Sequence, residues 1–378
     1  MALYLRQLPE AVQLVLPSDD RLGVDLISDF AARMAGSALL VVWDSGEEGV
    51  ADRLAGLPNA GQHVVVVPTG CSIGPDGMCD DGLRVVGTPA GVRAAVRSFP
   101  SLGRVTYARA EAMLRALAGD LGRSVDLLDP ERHALMCFAG GSGGGAELLA
   151  AALATAASNL PLVGGSFLGR GISLDGTWRR NGAVVALLES EVPLAPFLVQ
   201  PFHLTSVRTV VTACDASGHL VEQLDGFPAA QRFCELAEVA PDALLGSPAK
   251  LVRQLPIQLA WVVAGRAVAR PVVSVHGETL TLQGAVHRGT VLRLVERDPD
   301  AVGKLLAGVR RAIATLAVPP AASWTFACRS LLEGGDAPVM AEGLQQLGVM
   351  TCRSDGLFHG PVHTCGGIAG LVWGDGGN

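Results

Sequence analysis

Apolar and polar positions follow two rhythms along this chain. In the first half, Ser37 to Trp43, His63 to Pro68 and His133 to Phe138 are near-continuous apolar runs and predict buried strands. Between them lie longer segments with helical spacing. Leu22, Leu26, Phe30 and Met34 fall four residues apart and predict a helix over 22–35, and Ala108 to Leu121 and the Ala-rich Ala146 to Ser158 predict two more. Thr69 to Gly74 and Ala139 to Gly145 read as turns, and Pro161 to Gly165 opens another strand or a turn. Asn181-Gly182 ahead of the apolar run Ala183 to Leu188 reads as a hairpin turn.

The second half carries more β alternation. Val207 to Cys214 and His219 to Leu224 flank Asp215 to Gly218 as a hairpin. Trp261 to Val263, Pro271 to His276, Thr279 to Gln283, Thr290 to Glu296, Ser323 to Cys328 and Ile368 to Trp373 are further strands. Pro299 to Leu316 predicts a helix with Val302, Leu305, Leu306, Val309 and Ile313 on one face. Pro193, Pro196 and Pro201 cluster between the halves and mark a domain boundary. The expected fold is a mixed α+β and α/β architecture of two domains, 1–200 and 201–378, with mixed β-sheets flanked by helices.

Composition narrows the function. Of 378 residues 49% are hydrophobic and 17% charged, which excludes a disordered chain. A formal net charge of -7 argues against a nucleic-acid partner. No run of about 18 apolar residues occurs, so no membrane partner is expected. The first twenty residues lack a signal-peptide pattern, and a cytoplasmic location is expected. Eight cysteines are too few for a disulfide scaffold and are expected as buried thiols or ligands.

Several stretches carry candidate chemistry. His133 to Ser158 reads strand, Gly-rich turn, helix, an arrangement that aims backbone N–H groups at an anion over the turn. Gly140 to Gly145 is neither a Walker A loop nor a clear dinucleotide fingerprint, and a tight structural turn is the alternative. Gly140-Gly-Ser-Gly-Gly144 also fits G-x-S-x-G, with Asp355 and His359 or His363 downstream in the order of α/β-hydrolases. Gly70-Cys-Ser-Ile-Gly74 fits the same pattern, so the motif arises easily here. Near the end, Cys352, His359, His363 and Cys365 fall within fourteen residues. Two thiols and two imidazoles could hold Zn or Fe, with Cys328 as a further thiol if its strand lies alongside; buried cysteines with loop histidines are the alternative reading.

Asn159-Leu-Pro-Leu-Val-Gly-Gly-Ser166, followed by Asn181 to Leu188, resembles the FIST N-terminal domain, as does Val64 to Gly74. Val210 to Cys214, Glu222-Gln-Leu-Asp-Gly-Phe-Pro-Ala229, Gly284 to Gly289, Leu292 to Val295 and Thr325-Phe-Ala-Cys328 resemble the FIST C-terminal domain. The resemblance implies a stand-alone sensory module that binds a small ligand in a cleft between its halves, with haem as one candidate guest. It implies signalling in trans to a histidine kinase or another signalling protein. The ligand-binding residues expected are Cys71, Ser72, Gly141, Ser142, Gly143, Gly164, Gly165 and Ser166. Departures near the end, where Cys328-Arg-Ser and Val362-His-Thr-Cys365 replace the family pattern, leave two other readings open. One is an enzyme with a metal or haem at the Cys/His stretch, and the other is an adaptor that binds only protein.

Overall fold

The computed structural model describes residues 13–16, 36–45, 62–80, 82–141, 145–157, 159–169, 171–245, 255, 257–263, 266–333 and 335–375. The expected helix over 22–35 lies outside them, as do Ser142 and Gly143. Helices and mixed sheets alternate as the sequence predicts. No described helix is long and apolar enough to cross a membrane.

Four sheets carry the described chain. The site sheet has the spatial order Val362–Thr364, Gly356–His359, Leu162–Phe167, His133–Gly140, Ala183–Ser190 and Val92–Phe99. A second runs Gln13–Leu16, Leu83–Gly87, Leu39–Asp44, His63–Pro68, Ile172–Leu174 and Thr177–Arg179. A third runs Leu194–Val199, Ile368–Gly374, Pro320–Cys328, Thr351–Ser354, Ser72–Gly74 and Gly77–Cys79. The fourth has eight strands: Arg266–Arg270, Ile257–Val263, Val291–Arg297, Phe202–Cys214, Leu220–Leu224, Thr279–Leu282 and Val272–His276, with Phe227–Pro228 beside Leu220–Leu224. The site sheet and the third sheet each draw strands from both sides of residue 200.

The apolar runs are long because both faces of these strands are covered. In His133–Gly140, Ala134, Met136 and Phe138 face a core shared by the three six-stranded sheets. Leu135, Cys137 and Ala139 face the helices Tyr107–Asp120 and Gly145–Ala156. His133–Gly140 pairs in parallel with Leu162–Phe167. Parallel neighbours need a crossover, and helix Gly145–Ala156 supplies it. The helices Ala301–Ala314 and Ala337–Gln346 cover the outer face of the third sheet.

Two local expectations are corrected. Asn181-Gly182 is not a hairpin turn, because Ala183–Ser190 pairs with Val92–Phe99 and His133–Gly140. The two-residue hairpin lies earlier, at Asp175-Gly176, which join Ile172–Leu174 to Thr177–Arg179 with φ of 48° and 81°, the sign that a primed turn requires at both central positions. Thr69 to Gly74 is only partly a turn, since Ser72–Gly74 pairs with Gly77–Cys79 and with Thr351–Cys352. The proline cluster includes a strand: Leu194–Val199 holds Pro196 on a sheet edge, where a missing N–H is tolerated.

Candidate functional site

The parallel pair His133–Gly140 and Leu162–Phe167 ends at Gly140 and Phe167, with Ser166 one residue earlier opposite Ala139, beside the start of helix Gly145–Ala156. Side chains alternate across the strand, so Ser166 shares the helix-facing side with Leu162. Gly356–His359 runs antiparallel beside it, with Gly356 opposite Ser166 and Phe358 opposite Gly164. Val362–Thr364 follows, with His363 opposite Phe358 and the two rings 4.9 Å apart.

From there the imidazole of His363 leans over Gly356 and places Nε2 2.9 Å from Ser166 Oγ. The glycine makes this possible: a Cβ at 356 would collide with His363 Nε2 and lie 2.7 Å from Ser166 Oγ. On the far side of the ring, Nδ1 faces Glu147 Oε1 at 3.4 Å. That is ion-pair range and long for a hydrogen bond, and Nδ1 makes no other bond. Ser166 and His363 are both less than a tenth exposed.

Charge fixes the direction of this chain of groups. Burial alone would raise the Glu147 carboxyl, but the contact with the His363 ring and the Arg270 charge outweigh it and hold the group down at about 2. An ionised carboxylate facing Nδ1 favours the tautomer that carries its proton there. Nε2 is then the acceptor, and Ser166 donates to it. His363 is also tied from behind. The buried Arg270 donates from Nη1 to the His363 carbonyl at 3.0 Å and from Nε to the Ala285 carbonyl at 3.2 Å. Thr364 Oγ1 accepts from the Ala269 backbone N–H at 3.0 Å and from Gln200 Nε2 at 3.0 Å.

The same helix and strands open into a hollow at their other end. It measures about 360 Å³ and is lined by Ala154 and Thr155 of the helix, Asn159 to Leu162, Pro196, and the turn His359 to Pro361. That is the small end of the range for ligand pockets. No Asp, Glu, Lys or Arg borders it.

Residues 39–226 match the family model of the FIST N domain. That stretch, just under half of the chain, is similar to the FIST N domain. FIST domains are sensory domains, and the match supports a role in signalling for this part of the chain. No curated protein matches the chain. The FIST N match contains Glu147 and Ser166 and ends before His363. The relay therefore joins two side chains of the matched stretch to one supplied from beyond it, and the hollow is likewise completed by 359–361.

The expected site residues separate into several places. Gly164 and Gly165 of the FIST N match are close-packing positions. A Cβ at Gly164 would collide with the Cys137 carbonyl, and one at Gly165 would lie 2.9 Å from Phe326 Cδ1. Gly141 adopts φ of 107° and donates to the Phe167 carbonyl at 3.1 Å. Ser72 opens a strand of the third sheet and Cys71 just precedes it: the Cys71 carbonyl accepts from Thr69 Oγ1 at 2.7 Å, and Ser72 Oγ accepts from Arg84 Nε at 3.1 Å. Ser142 and Gly143 fall outside the described residues.

The four expected metal ligands do not meet. Cys352 is buried beside Ser72, with its thiol pushed well above the ordinary range by burial. His359 borders the hollow, and His363 bonds Ser166. Cys365 lies against Cys328, whose thiol is drawn down to about 6 by the Cys365 bond against the effect of burial. Among the described residues no group of three His, Cys, Asp or Glu side chains is arranged to hold a metal ion. The reason is that residues 352–365 are three strands in two sheets rather than one loop, so neighbours in sequence point to different partners.

Glu147 was missed by sequence reasoning. Its signal was present: it is the one charged residue in the twelve of an otherwise Ala- and Leu-rich helix, in its first turn.

Proposed function

We propose that the chain is a sensory protein that takes a small, largely uncharged molecule into the hollow at His359 and passes the binding event to a separate signalling protein, such as a histidine kinase. One observation carries this reading. The hollow is lined by Ala154, Thr155, Asn159 to Leu162 and Pro196 on one side and by His359 to Pro361, from the far end of the chain, on the other. A guest touching both has an affinity that depends on how they are set against each other, which is the differential binding a sensor needs. Haem forms no part of the reading; the hollow offers one donor of axial type, His359. Bound Zn or Fe is absent from it too, because the donors do not converge.

Filling the hollow tests it. Thr155→Trp places an indole at the rim of the space. A library of small neutral molecules is screened by thermal shift against the native chain and this variant. A guest at one hundred times its Kd stabilises by about 2.7 kcal/mol. Compounds that raise the native melting temperature and leave the variant's unchanged support the reading, and equal shifts in both contradict it.

A further inference from the structure

We propose that Ser166, His363 and Glu147 form a nucleophilic serine relay that cleaves carboxylic esters of small, uncharged acyl groups. The parts stand in the order the chemistry needs: a hydroxyl 2.9 Å from an imidazole nitrogen, and a carboxylate held ionised 3.4 Å from the other nitrogen. A base within hydrogen-bond reach, itself oriented by a third group, is the geometric signature of an activated nucleophile. The long His363–Glu147 distance is of the kind that tightens when substrate binds. Position agrees, because the relay stands at the carboxyl ends of a parallel strand pair, where open α/β sheets place their sites.

Gly356 gives an independent argument. Its φ is ordinary, so no backbone conformation demands glycine there. What demands it is the space through which His363 reaches Ser166. Ser166, His363 and Gly356 thus depend on one another, although each lies in a different strand.

In the reaction, Ser166 Oγ forms a bond to the ester carbonyl carbon as its proton moves to His363 Nε2. The carbon–oxygen bond to the leaving alcohol breaks, and that oxygen takes the proton from Nε2. The acyl group then rests on Ser166. A solvent water, deprotonated by Nε2, attacks the same carbon; the bond to Ser166 Oγ breaks, Oγ recovers the proton, and the free acid departs. Glu147 is a positioning residue that keeps the Nδ1 proton in place. The acyl group must be small, because Ser166 and His363 are nearly buried, and uncharged, because the Glu147 carboxylate stands close behind the imidazole. The relay lies at the opposite end of the strands from the hollow, so this proposal does not rest on the sensory reading.

The test uses the full chain and p-nitrophenyl acetate. Native protein should release p-nitrophenolate, and protein quenched in acid should carry an acetyl group on the peptide containing Ser166. Release should fall by about 100-fold or more in Ser166→Ala and His363→Gln. Glu147→Gln, assayed well below its own melting temperature, should lower kcat with KM little changed. Gly356→Ala should lose activity although no reacting group is removed. An acetyl group found on another residue, or equal release from native protein and Ser166→Ala, overturns the proposal. The adduct map on native protein decides the matter even if a variant fails to fold.

Discussion

Helix Gly145–Ala156 and the strands Leu162–Phe167 and Gly356–His359 lie side by side for roughly 12 Å, from Thr155 to Glu147 along the helix and from Leu162 to Ser166 along the strand. Their two ends differ in kind. At one end Pro161, Pro196 and Pro361 leave a hollow without a formal charge around it. At the other, Ser166, His363 and Glu147 sit close together with Arg270 braced behind them. The shared elements are the same, so turn chemistry decides which end stays open. Prolines and the positive φ of Gly360, at 56°, bend the chain away from the hollow end. Glycines without Cβ atoms let the backbones and His363 close in at the relay end. One end has room for a guest, and the other has the groups for chemistry.

Substitutions can break or sharpen this contrast. The largest effect is expected at Gly164, where any Cβ meets the Cys137 carbonyl of the neighbouring strand. Gly164→Ala should cost more than about 4 kcal/mol, read as loss of a cooperative thermal transition. Next is Glu147→Gln. The Glu147 carboxyl is held at about 2 in the folded chain, below its usual 4.5, and this difference is worth on the order of 3 kcal/mol. A depressed carboxyl stabilises fully above its unfolded value and loses that contribution as pH falls toward its folded value. The deficit of the variant, measured by urea melts, should therefore be greatest at pH 7 and clearly smaller at pH 3.

Ser166→Ala leaves His363 Nε2 without its donor in a buried setting, and about 1–3 kcal/mol should be lost. The hollow end should be nearly indifferent. Thr155 is exposed, and Thr155→Trp should stay within about 0.5 kcal/mol by the same melts. If Thr155→Trp instead cost as much as Ser166→Ala, the two ends would not differ as described.

Much of the fold was legible because burial on both faces writes apolar runs directly into the sequence. His133 to Phe138, His63 to Pro68 and Ile368 to Trp373 all appear as strands. The short strands Thr351–Ser354, Gly356–His359 and Val362–Thr364 were not legible, because four residues or fewer set no period, and the cysteines and histidines among them suggested a ligand cluster. Asp175-Gly176 was passed over for Asn181-Gly182, since both dipeptides suit a primed turn and only strand pairing separates them. For the site, Ser166 and His363 were both singled out but never together: Ser166 was assigned to a ligand, and His363 to a metal or to a hydrolase pattern built on Ser142. Their meeting depends on a strand from residues 356–359 pairing with one nearly two hundred residues earlier, which no local pattern reveals.

The central claim is that His363 accepts a proton from Ser166 while Glu147 holds the opposite nitrogen. Nitrogen-15 NMR of the histidine side chains reads this directly. The native chain should show the His363 resonance with Nδ1 protonated and Nε2 bare, and Glu147→Gln should weaken that preference. A native His363 with its proton on Nε2, or a pattern unchanged by both Glu147→Gln and Ser166→Ala, would contradict the account.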